Sequence, residues 1–140
     1  MEMWEDKMSI QVQPILFGSL SKSKDISFGY TNELKTLFRK GLLPSVKVDA
    51  AGNKLTKKNV TLDHIIPKSK GGKSKTDNYM LATRKFNEAR GNEPLSRWVT
   101  FEGIMRYLEQ FVGVRVGDFR GNKYIESVLR TLDRANKRGL

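Results

Sequence analysis

The chain has no cysteine and only one histidine in 140 residues. Without thiols, neither a disulfide framework nor a thiolate zinc site can form, and the composition suits a reducing interior. Long apolar runs are also missing. The stretch "IQVQPILFGSL" (10–20) is broken by glutamines and a proline and preceded by acidic residues. It fits neither a secretory signal nor a membrane span. The expected location is the cytoplasm, with no membrane partner. Acidic residues are scarce: 15 Asp and Glu face 26 Lys and Arg, for a net charge of +11. A length of 140 residues suits one domain with a real hydrophobic core.

The positive charge is clustered. Residues 57–90 hold nine Lys/Arg against three Asp/Glu, and the last 21 residues hold six against two. By contrast, residues 91–119 are slightly acidic, with three against four. Such clustering is the footprint of a polyanion, most simply nucleic acid. An acidic membrane fits less well, because turn residues interrupt the basic segment where a membrane-binding helix would be continuous.

Periodicity gives a coarse map. Residues 1–30 lack a regular pattern and are expected to be extended or mobile, with Ile15 to Phe17 a candidate irregular strand. From Thr31 the pattern turns helical, placing Leu34, Leu37 and Phe38 on one face before Gly41. "VKV" and "AAGNKL" suggest a short strand and a turn. Val60 to Ile66 is rich in β-branched residues and is expected to be a strand ended by Pro67. "KSKGGKSKTD" is a loop, and "NYMLA" (78–82) a second strand. Thr83 can cap a helix over 84–90, closed by Gly91. Two amphipathic helices should follow within 95–138. One carries Phe101, Ile104, Met105, Leu108 and Phe111 behind a Thr100 cap; the other carries Ile125, Val128, Leu129 and Leu132 behind Asn122. Opposite that last stripe, Lys123, Arg130, Arg134 and Lys137 form either a second phosphate contact or a solvated flank.

Pattern alone therefore gives a ββα unit over 57–91 within an α+β domain. Asp63-His64 lies on its first strand, Asn78 opens the second, and Asn87 is mid-helix. Aspartate, histidine and amides make a hard-ligand set that suits Mg²⁺ or Mn²⁺ better than Zn²⁺. A basic loop beside such a cation is what phosphodiester cleavage requires, with a neutral imidazole taking a proton from the attacking water.

"DHIIPKSKGG…DN…L…N…RG" resembles the HNH nuclease signature of phage and homing endonucleases, colicin DNases and the target-strand-cutting domain of RNA-guided CRISPR nucleases. The match runs from Leu62 to Gly91, and the intervals of 14 residues from His64 to Asn78 and nine to Asn87 suit it. The resemblance implies a ββα-metal core and a phage or mobile-element setting. It also implies His64 as general base, Asp63 as metal ligand, Asn78 as the residue that steadies the loop and orients the histidine, and Asn87 as a second ligand. Two departures stand out. The Cys pairs that hold a structural zinc in many relatives are missing, and asparagine replaces the final histidine, which favours Mg²⁺.

The expected activity is a metal-dependent DNA endonuclease that nicks with a single cation. Lys57, Lys58, Lys68, Lys70, Lys73, Lys75, Arg84 and Arg90 are the expected DNA contacts. The alternative is a basic nucleic-acid-binding module on the same fold without catalysis. One geometric condition attaches to the site. Neighbours on a regular strand point to opposite faces, so Asp63 and His64 share a site only where the strand twists or ends.

Overall fold

The computed structural model describes residues 33–140; the expectations for residues 1–30 and for Thr31 lie outside them. Helix α1 (Glu33–Arg39) buries Leu34 fully and rests Leu37 and Phe38 against the core. Gly41 then takes a left-handed φ of 75°, which lets the Gly41 and Leu42 amides donate to the carbonyls of Phe38 and Leu37. The expected strand and turn at 46–55 is a single bridge, Val48 to Lys54. Asp49 holds it closed by accepting from the amides of Ala51 and Asn53.

Strands β1 (Val60–His64) and β2 (Tyr79–Thr83) pair antiparallel, from Val60 opposite Thr83 to His64 opposite Tyr79. Helix α2 (Arg84–Arg90) follows directly. The Thr83 side chain accepts from the Phe86 amide, and the Gly91 amide donates to Asn87 O, so both expected caps are present. β1 ends at His64, two residues before its expected end, and Asn78 closes a 3-10 turn (Thr76–Asn78) where it was expected to open β2.

The hairpin needs support, since two strands alone are marginal in water. Helix α3 (Phe101–Glu109) is capped by Thr100, and helix α4 spans Gly121–Lys137. Both expected stripes are in the core, with Met105 partly buried. Between these helices lies a hairpin that the reading of 95–138 as helices missed: β3 (Arg115–Val116) against β4 (Phe119–Arg120). Asn122 lies inside α4, and its side chain accepts from the Gly113 amide.

Two buried tyrosines tie the helices to the free edge of β2. The Leu81 amide donates to the Tyr107 hydroxyl (2.8 Å), the Tyr107 and Tyr124 hydroxyls are 3.0 Å apart, and Tyr124 donates to Tyr79 O (2.7 Å). Burial pushes both hydroxyls well above the ordinary tyrosine pKa, so they stay neutral donors. An edge amide and an edge carbonyl are thus satisfied without a third strand.

Candidate active site

The regular ladder carries Asp63 and His64 to opposite faces of β1, so the condition for one shared site is not met in this arrangement. Asp63 points inward and is buried. Its Oδ1 accepts from Arg90 Nη1 at 2.9 Å, an ion pair with both side chains almost completely out of solvent. Burial pushes the Asp63 carboxyl up to about 6, against the downward pull of the Arg90 charge and hydrogen bond and with a further push from Asp49. The carboxyl is therefore mostly ionised at pH 7.5.

Arg90 is a clamp. Besides Asp63, its guanidinium donates to His64 O (2.7 Å), Ile65 O (2.8 Å) and Glu93 O (2.9 Å). A planar fork of donors suits three carbonyls and a carboxylate in a way an ammonium cannot. The position expected to touch DNA at Arg90 is thereby corrected: its guanidinium is sealed inside, holding the end of β1.

His64 lies half-buried on the other face. The Tyr79 ring meets it edge-on, with centroids 4.8 Å apart at 72°. Its Nε2 is 3.5 Å from Ser74 Oγ, at the long limit of a hydrogen bond. Partial burial, then the nearby charges of Lys68 and Arg90, pull the ring below its ordinary pKa of 6.5. At neutral pH the imidazole is uncharged and can accept a proton.

Asn78 holds the loop that overhangs this face. Buried at 4% exposure, it accepts from the Ile66 amide (2.9 Å) and donates to Ile66 O (3.0 Å) and Lys73 O (2.9 Å). Its backbone carbonyl takes the Ile65 amide (2.8 Å), immediately after His64. Gly72 is required beside it: an added Cβ would lie 1.7 Å from Ile66 O and 2.9 Å from Asn78 Nδ2. Around this staple the chain turns twice, and Lys68, Lys73 and Lys75 are exposed while Lys70 is partly covered.

Residues 51–93 match the family model of the HNH endonucleases. This segment is an HNH family domain. It contains the β1–β2 hairpin, the loop and α2, and the family implies nuclease activity on nucleic acid with a divalent metal. No curated protein and no solved structure matches the chain.

Within the HNH segment, the clamp brings Arg90 onto Asp63 on one face of β1, and the loop held by the staple brings Ser74 to His64 on the other. Asn87 Nδ2 donates to Leu62 O at 3.2 Å, which orients the amide and leaves Oδ1 as its remaining acceptor. A carboxylate and an amide oxygen are ligand types for Mg²⁺ or Mn²⁺, but Asp63 is sealed from solvent with its Oδ1 on Arg90, so the two do not fit a cation as they stand. Among the described residues, no group of three or more His, Cys, Asp or Glu is placed to hold a metal. Lys57, Lys58 and Arg84 are exposed, as a phosphate contact requires. No helix of the described residues is long and apolar enough to cross a membrane.

The sequence reading missed Ser74, Asp49 and the tyrosine pair. Asp49 carried a signal, since an Asx residue before "AAGN" is turn chemistry. Ser74 carried none, because its role depends on the loop folding back over His64.

Proposed function

We propose that this protein is a DNA endonuclease that hydrolyses phosphodiester bonds with one Mg²⁺ or Mn²⁺, nicking one strand per encounter. The observation that carries this is His64: a half-exposed, neutral imidazole at the foot of a four-lysine loop within an HNH segment. His64 Nε2 takes a proton from a water; the water oxygen bonds to phosphorus, and the bond from phosphorus to the leaving sugar oxygen breaks. The leaving oxygen then takes a proton from solvent. The exposed lysines hold the strand by its phosphates, and Asn78 fixes the loop that presents them. A divalent cation, which the family implies, would offset charge on the phosphate and the leaving oxygen; holding it with Asp63 and Asn87 requires Asp63 to leave Arg90. The 57–91 core and the helices of 95–138 act as one domain, and the family resemblance supports a phage or mobile-element setting.

Supercoiled plasmid incubated with the protein and millimolar Mg²⁺ or Mn²⁺ should convert to open circles. Excess EDTA should stop the conversion. Undiminished cutting in chelator would overturn the metal role.

The Asp63–Arg90 pair favours a second function, a nucleic-acid-binding module that keeps the fold without cutting. A carboxylate committed to a buried arginine is a poorer ligand than a free one. Plasmid bound but never cut under any divalent ion would select this alternative.

A further inference from the structure

We propose that the C-terminal turns of α4 extend the DNA-binding surface of the HNH loop, with Arg134 and Arg138 as additional phosphate contacts. This rests on the nuclease function proposed above. Sequence alone gave Lys123, Arg130, Arg134 and Lys137 as one undivided basic face; the fold divides it. Arg130 is paired with Glu126, and Lys137 with Asp133 at 3.1 Å. Their charges are offset locally.

Arg134 and Arg138 differ. Both are exposed, and no ion pair between described residues uses either. Thr131 Oγ1 donates to Asp77 O (2.8 Å), docking this end of α4 on the loop, and Arg134 Nη2 donates to Thr131 Oγ1 (3.1 Å). Arg138 Nη2 reaches Lys70 O at 3.4 Å, and an added Cβ on Gly71 would lie 3.9 Å from it. The first turn of the loop, Lys68–Lys70, thus lies against Arg138, while Ser74 within the same loop faces His64. Asp77 meets this end of α4 through its backbone carbonyl, and Asp133, next to Arg134 in the chain, is already paired with Lys137. The loop has no acidic residue from Lys68 to Thr76. Two segments distant in sequence therefore form one positive surface beginning at the imidazole. Its complement is a run of phosphates on the DNA strand held at His64.

The test is a salt titration of full-length protein binding a labelled DNA duplex, by fluorescence anisotropy in EDTA. Each lost phosphate contact should reduce the slope of log K against log salt by about 0.9. Arg134→Gln/Arg138→Gln should lower it by up to about 1.8 and weaken binding alike for unrelated sequences, since phosphates carry no base information. Arg130→Gln/Lys137→Gln should keep the parental slope. Replacing Lys68, Lys70, Lys73 and Lys75 by serine should flatten it most. Both arginines are exposed, and thermal melts confirm that each variant is folded. A parental slope in the Arg134/Arg138 variant, with a flattened one in the lysine variant, overturns this inference alone. A parent protein that does not bind duplex DNA overturns the nuclease function along with it.

Discussion

The two faces of β1 treat charge in opposite ways. On one, Asp63 and Arg90 are withdrawn from water and the guanidinium donates to a carboxylate and three carbonyls. On the other, His64 stands half-open beside lysines that have no ion pair with any described residue. Adjacent residues of one strand thus belong to different chemistries. The inner face uses charge to fix the backbone at the end of β1; the outer face keeps charge available to a ligand. The inner face makes the outer one usable, because Arg90 holds the His64 and Ile65 carbonyls while Asn78 holds Ile65 and Ile66 from the loop side.

The comparison breaks most severely at Arg90. Arg90→Met should destabilise the fold by about 3–5 kcal/mol, because it strands the Asp63 charge and three carbonyls in the interior. Removing the stranded charge as well, in Arg90→Met/Asp63→Leu, should recover part of the loss. Urea unfolding followed by circular dichroism measures both. An Arg90→Met protein as stable as the parent would mean that the clamp does not hold β1.

A smaller effect is expected at the staple. Asn78→Ala leaves the Ile66 amide and the Ile66 and Lys73 carbonyls without their partner, and unmade buried hydrogen bonds cost about 1–3 kcal/mol. Urea unfolding should show that loss, and the cleavage rate should fall as the loop loosens over His64. Unchanged stability would mean that the loop is held elsewhere, most directly by Thr131 on Asp77 O.

Much of this was legible in the sequence because it is local. Thr83 and Gly91 announce the two ends of α2, Thr100 announces the start of α3, and the apolar stripes name the buried faces. The ββα order follows from the same signals. What was not legible depends on distant chain. Arg90 lies three residues from Asn87 on a seven-residue helix, a spacing that equally allows a surface contact. Only the carbonyls of β1, which the fold brings up against α2, draw it inside. Tyr107 and Tyr124 look like core positions, and their hydroxyls acquire meaning only beside the edge of β2. The β3–β4 hairpin was different, since Gly117-Asp118 between Val116 and Phe119 is a recognisable two-residue turn. The division of α4's basic face needed the structure too, because it turns on where the loop docks.

The central claim is that the outer face carries the chemistry and that His64 is its base. Single-turnover cleavage of a labelled duplex by His64→Ala, with binding measured alongside, tests it most directly. General-base catalysis contributes about 10²–10⁴-fold, so the rate should fall at least about 100-fold while duplex affinity stays near the parental value. A variant that cuts at the parental rate would contradict the account and place the base elsewhere.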